Sequence, residues 1–129
     1  MTTPHVFLFG AGLMSEAYAN VLKSLPCTFS VFGRGFKSAT SYEKRTSIVV
    51  NTMPFEEALT HGYDDLRAII AVTNDQLATT TLRVIRAGIK QILVEKPAGI
   101  SLEEINLIKN TAKKLINTEN SIIETKNQE

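Results

Sequence analysis

Val6-Phe7-Leu8-Phe9-Gly10-Ala11-Gly12-Leu13-Met14-Ser15 is the stretch on which the fold turns. Val6 to Phe9 is an unbroken apolar run rich in β-formers, which reads as a buried strand. It stops at Gly10, and a helical pattern takes over at Leu13 and runs to Leu25. Ala17, Val21 and Leu22 fall on or near one face of that helix, and Pro26 ends it. A strand that enters a helix through a glycine turn is the opening unit of an α/β domain.

The same alternation continues outward. Phe29 to Phe32 is a second strand closed by Gly33-Arg34-Gly35, and Phe36 to Lys44 reads as a brief helix. Ile48 to Val50, β-branched throughout, is a third strand. Pro54 suits the first position of a short helix, Phe55 to Thr60. Leu66 to Val72 is nearly all apolar and belongs in the middle of a parallel sheet covered on both faces. Gln76 to Ala87 is the next helix, with Gly88 as its C-terminal cap. Ile92 to Glu95 is a fifth strand. Ser101 and Glu104 have capping-box spacing and open a helix to about Leu115. Ser121 to Thr125 is a short sixth strand. Crossover helices force neighbouring strands to run parallel. The expectation is an α/β fold of three layers, αβα, with a doubly wound, mostly parallel sheet. The domain is expected over residues 1–125, with 126–129 as a polar tail.

Length and composition agree with one such unit. The chain has 129 residues, 43% hydrophobic and 21% charged, with a formal net charge of +1. That balance points to neither nucleic acid nor an anionic membrane as partner. No apolar run is long enough to span a bilayer. Met1-Thr2-Thr3-Pro4-His5 lacks the charge of a secretory leader, so a cytoplasmic protein is expected. Cys27 is the only cysteine and reads as a structural thiol. With only two histidines, both remote from it, no metal site is expected.

Gly10-Ala11-Gly12-Leu13-Met14-Ser15 is a G-x-G-x-x-S variant of the dinucleotide fingerprint of Rossmann folds. The tight turn requires Gly10, and Gly12 lets a pyrophosphate approach the backbone. The amides of Gly12, Leu13 and Met14 then face the phosphates from the helix N-terminus, where the dipole favours negative charge. Ser15 is small enough for close helix–strand packing. The competing reading is a tight turn with no ligand. About twenty residues on, NAD-binding domains place a carboxylate for the ribose 2′-hydroxyl. Here the second strand ends in Phe32-Gly33-Arg34-Gly35, without one. Arg34 suits a bidentate contact to a 2′-phosphate and can stack on adenine, which favours NADP over NAD. Lys37 and Ser38 are secondary candidates, and a merely solvated arginine is the bland alternative.

Glu95-Lys96-Pro97 ends the fifth strand on the carboxyl edge, where doubly wound sheets bind ligands. A lysine there can reach a nicotinamide ring or a substrate beside it, and an apolar wall would lower its pKa toward proton transfer. From position alone, a solvated lysine is the commoner case.

The block Ile69-Ile70-Ala71-Val72-Thr73-Asn74-Asp75 through Ile92-Leu93-Val94-Glu95-Lys96-Pro97 resembles the glucose–fructose oxidoreductase/inositol dehydrogenase (Gfo/Idh/MocA) family. The Gly10–Ser15 turn, Gly33-Arg34 and the Ser101 helix fall in that family's order. The resemblance implies an NAD(P)-dependent oxidoreductase acting on sugars, nucleotide sugars or cyclitols. It implies Lys96 as the catalytic lysine, with Glu95 and Pro97 shaping its turn at the cofactor. It also matches Thr73 and Asn74 to the strand-end pair beside the nicotinamide. Two departures stand out. Leu77 occupies the position of a common histidine, and the family's substrate domain, with its Asp…His pair, is expected to be missing.

Three readings follow. One is the NADP-binding domain of an oxidoreductase, inactive alone and completed by a missing domain or partner chain. Another is a stand-alone, non-catalytic nucleotide-binding module acting as sensor or partner subunit. The blandest is a remnant that binds nothing. An uncovered sheet face would favour a homodimer. His5 and His61 read as exposed, and the Met14 side chain as packed beneath its helix.

Overall fold

Alternating residues of each strand face opposite ways, and the chain uses this to build two cores on one sheet. The computed structural model describes residues 3–95 and 122–126, together with Glu103 and Asn110. The strands are β1 (His5–Phe9), β2 (Thr28–Phe32), β3 (Val50–Asn51), β4 (Leu66–Ile70), β5 (Gln91–Glu95) and β6 (Ile122–Lys126). They form one sheet in the order β3-β2-β1-β4-β5-β6, and every pairing is parallel. This is the doubly wound order of the Rossmann fold. Val6, Leu8 and Val31 pack against Ala19 and Leu22 of α1 (Leu13–Leu22) and Tyr42 of α2 (Phe36–Thr46). On the other face Phe7, Phe9 and Phe32 pack with Phe55 of α3 (Phe55–Ala58) and with Leu77, Val84 and Ile85 of α4 (Asn74–Arg86). The three layers are therefore α1–α2, sheet, and α3–α4. Among the described residues, no helix is long and apolar enough to cross a membrane.

Several local expectations need correction. Helix α1 ends at Leu22, and its buried face is Ser15, Ala19 and Leu22, whereas Ala17 and Val21 are exposed. The apolar seam follows the i, i+4, i+7 spacing that meets the sheet, and Val21 lies outside it. Helix α2 is longer than expected, because Ser47 adopts a left-handed conformation (φ 61°) and its N–H caps onto the Glu43 carbonyl. Strand β3 starts at Val50, not Ile48. The Ile48 N–H is drawn to the Thr46 hydroxyl at 3.1 Å, and Val49 points to solvent. Pro54 caps α3 from outside the helix, which gives way to a 3₁₀ turn over Leu59–His61. Strand β4 stops at Ile70. It lies inside the sheet between β1 and β5, with Ala68 and Ile70 buried, Ile69 half-buried and Arg67 exposed. On the α1 side a groove of about 530 Å³ runs beside Leu22, Leu25, Cys27, Ile69 and Leu93. Helix α4 begins at Asn74, two residues earlier than expected, and Gly88 follows it at φ 92°. Of the helix expected from Ser101, only Glu103 and Asn110 are among the described residues, and both are helical.

His5 is not a loose residue at the chain start. It lies in β1, its ring stacks on Tyr63 with centroids 4.6 Å apart, and its nitrogens meet the hydroxyls of Thr28 and Ser30 at 2.6 and 2.8 Å. Burial lowers its pKa. Cys27 is half-buried and donates to the Leu22 carbonyl at 3.6 Å, and His61 is exposed, both as expected.

Candidate dinucleotide cleft

The carboxyl ends of β1, β2, β3 and β4 converge on one cleft of about 810 Å³, within the ~300–1,000 Å³ usual for ligand pockets. Its floor is the turn after β1. Gly10 has φ +121°, and a Cβ there would stand 2.2 Å from the Ala71 carbonyl oxygen. Only glycine lets β1 leave the sheet this close to β4. The Gly10 N–H donates to the Phe32 carbonyl at 2.7 Å, which ties the turn to β2 as well. Gly12 differs. Its φ of −112° is open to any residue, and a Cβ there would meet nothing within 4 Å. Packing therefore does not require a glycine at the N-cap of α1, whereas close approach of a ligand to the turn does. Such a cradle, which a Cβ would fill, is what a pyrophosphate needs. The first amides of α1 have no helical acceptor and the dipole favours an anion there.

Ser15 is fully buried one turn on, its hydroxyl 3.2 Å from that of Tyr42. The pair joins α1 to α2, and burial above all raises the Tyr42 pKa. Gly33 serves closeness too: a Cβ would press to 3.0 Å on both Ala11 and Val50. Its N–H donates to the Asn51 carbonyl at 3.0 Å, so the β2 end is held beside the floor.

Arg34 follows and is exposed at the cleft, in no salt bridge among the described residues. Its Nη1 donates to Oε1 of Gln76 in the first turn of α4. Gln76 in turn donates to Asp75, which also accepts from the Thr73 hydroxyl at 2.6 Å. The Thr73 bond is the main cause that holds the Asp75 carboxyl below its ordinary pKa, with Gln76 and the nearby Arg34 charge acting the same way. The other cleft cation, Arg83, is occupied structurally. It forms a two-point pair with Glu56 at 2.7 and 3.2 Å and lies 5.1 Å from the Phe55 ring centre.

The structure thus brings Gly10, Gly12, Leu13, Met14, Gly33, Arg34 and Thr73 to one cleft. The Met14 side chain is half exposed and lines the cleft; it does not pack beneath the helix as expected. Ser38 lines it, whereas Lys37 does not. Asn74 is exposed and outside the lining. Leu77 is 1% exposed within the α4 core, so that position faces the sheet rather than the cleft. Glu95 stands at the end of β5 and accepts a hydrogen bond from Tyr18 of α1. Burial, then that bond, pushes the Tyr18 phenol well above its usual pKa. Lys96 and Pro97 lie outside the described residues. Sequence reasoning missed the wall of Thr52, Met53, Thr79, Thr80 and Arg83. The last three, with Gln76, form a polar stripe at helical spacing on α4, a signal present in the periodicity.

Neither a comparison with protein-family models nor one with curated protein sequences found a match. Solved structures do match. A Gfo/Idh/MocA family oxidoreductase from Vibrio cholerae aligns at TM-score 0.72 and 19% identity, over 94% of this chain and 37% of that one. The protein GenD2 from gentamicin A biosynthesis, solved in complex with NAD, aligns at 0.73 and 23%, over 97% and 34%. Biliverdin reductase from Synechocystis, solved with biliverdin and NADP+, aligns at 0.71 and 14%, over 94% and 37%. The chain spans little more than a third of the length of these proteins. At this identity the likeness is one of fold, and that fold is the one found in Gfo/Idh/MocA oxidoreductases.

Proposed function

We propose that this chain is the NADP-binding domain of an oxidoreductase of the Gfo/Idh/MocA type. The observation that carries the reading is Gly12. Neither backbone conformation nor packing accounts for a glycine there, and it opens the turn toward a cleft that Arg34 borders. In this reading the amides of Leu13 and Met14 receive the pyrophosphate and Arg34 receives a 2′-phosphate. The adenosine end lies toward Ser38, Thr52 and Met53, and the nicotinamide end toward Thr73 and the strand end that carries Glu95. NADP, when bound, supplies or accepts a hydride. Lys96 would hold or release the proton at the substrate hydroxyl, with Glu95 and Pro97 shaping its turn. A sugar-type substrate would be positioned by a further domain or partner chain, as the greater length of the matched structures supports.

The test is calorimetric titration with NADPH, NADH and ATP, repeated on Arg34→Ala. NADPH is expected to bind most tightly. Loss of a charge-assisted contact should weaken it roughly ten- to a hundredfold, equivalent to about 1.5–3 kcal/mol, with NADH little changed. Equal affinity for NADPH and NADH in the native chain would overturn the NADP assignment, and binding of neither would overturn the cofactor reading.

A further inference from the structure

Arg34 reaches across the cleft. It follows β2, yet its hydrogen-bond acceptor is Gln76, in the first turn of α4 after β4. Free glutamine amides can present either oxygen or nitrogen. Here the amide nitrogen of Gln76 lies 3.4 Å from the Asp75 carboxylate, which can only accept, and this contact favours one orientation. The Thr73 hydroxyl, 2.6 Å away, fixes that carboxylate in turn. The oxygen of Gln76 is left facing Arg34. One N–H of the guanidinium is used, and the rest of its planar fork stays available for a second acceptor.

We propose that Gln76 is a specificity-determining positioning residue, which holds the Arg34 guanidinium over the cleft in the attitude that receives a 2′-phosphate. The inference rests on the NADP reading above and deepens it. An exposed arginine on a loop loses rotamer freedom when it binds. Gln76 removes part of that freedom beforehand, and the gain accrues only to a ligand that Arg34 touches. Preordering of one such side chain corresponds to about three- to tenfold in affinity.

Titration with NADPH and NADH of the native chain, Gln76→Ala, Arg34→Ala and the double variant tests this, with circular dichroism to verify folding. Gln76→Ala is expected to weaken NADPH about three- to tenfold and leave NADH within twofold. In the Arg34→Ala background the same substitution should change neither. A second variant, Gln76→Glu, sets a carboxylate against Asp75 and near the phosphate, and should lower NADPH affinity further while sparing NADH. Native preference for NADPH that survives Gln76→Ala unchanged would overturn the inference and leave the NADP reading standing. Equal loss of both nucleotides would overturn it as well, since that marks a general role in the cleft wall. Absence of any NADPH preference in the native chain would overturn both.

Discussion

Two glycines two residues apart should fail in opposite ways. At Gly10 an added methyl would lie 2.2 Å from the Ala71 carbonyl oxygen and 2.8 Å from its carbon, both backbone atoms, with φ at +121°. Backbone strain of this kind alone costs about 1–3 kcal/mol. The overlap must also push β4 from β1 where the Ala71 N–H meets the Phe9 carbonyl at 2.9 Å. Gly10→Ala should therefore lose about 3 kcal/mol or more, roughly 10 °C in melting temperature. At Gly12 the methyl meets nothing within 4 Å and φ is −112°. Alanine is a poorer N-cap than glycine, but it restricts the unfolded chain, so the net change should stay within about 1 kcal/mol. The methyl would nevertheless stand where a phosphate must approach the first amides of α1. Gly12→Ala should thus melt within a few degrees of the native chain, by about 1 kcal/mol or less, yet bind NADPH at least about tenfold more weakly. Thermal melts and calorimetry on the two variants measure both quantities. Native affinity in Gly12→Ala would refute the cradle, and native stability in Gly10→Ala would refute the steric reasoning.

Two further expectations concern stability. Tyr42→Phe strands the fully buried Ser15 hydroxyl and should cost about 1–2 kcal/mol. Adding Ser15→Ala should recover part of that loss, and urea midpoints that simply sum would show the two hydroxyls to be uncoupled. Burial depresses the His5 pKa, so the unfolded chain takes up its proton first. The contribution is intact above the ordinary imidazole value of about 6.5 and is lost as pH falls below it through the depressed folded value. His5→Asn should flatten that part of the pH–stability curve in urea titrations; an unchanged slope would place the loss elsewhere.

The fold was legible because periodicity reports burial. β1, β2 and β5 are apolar where the sheet needs them, and Gly10 marks the turn by a conformation few residues adopt. The strand of two residues at β3 was less legible, since Ile48 and Val49 have the composition of a strand. Local competition holds Ile48 out, since the Thr46 hydroxyl takes its N–H, and Glu43 takes the Val50 N–H at 2.8 Å where β3 begins. Nothing in a list of β-formers encodes such contacts. The place of His5 is hidden from the sequence for a related reason. Its partners Thr28 and Ser30 become neighbours only once β1 and β2 pair in register.

The cleft divides along the same line. Residues within one turn, such as Gly10, Gly12 and Gly33-Arg34, are legible as cleft candidates because a single loop contains the whole geometric reason for them. Thr52, Met53 and the α4 stripe come from separate crossovers and meet only where the strand order reverses, between β1 and β4. Leu77 shows the converse. Counting from Asn74 put it at the site, but its phase on α4 turns it into the core, whereas Gln76 and Thr80 face outward at the next spacing. Helical phase, not distance along the chain, decides which residue of a strand-to-helix loop a ligand can meet. For that reason Gln76, one residue earlier, is the better place to look for a determinant of nucleotide choice.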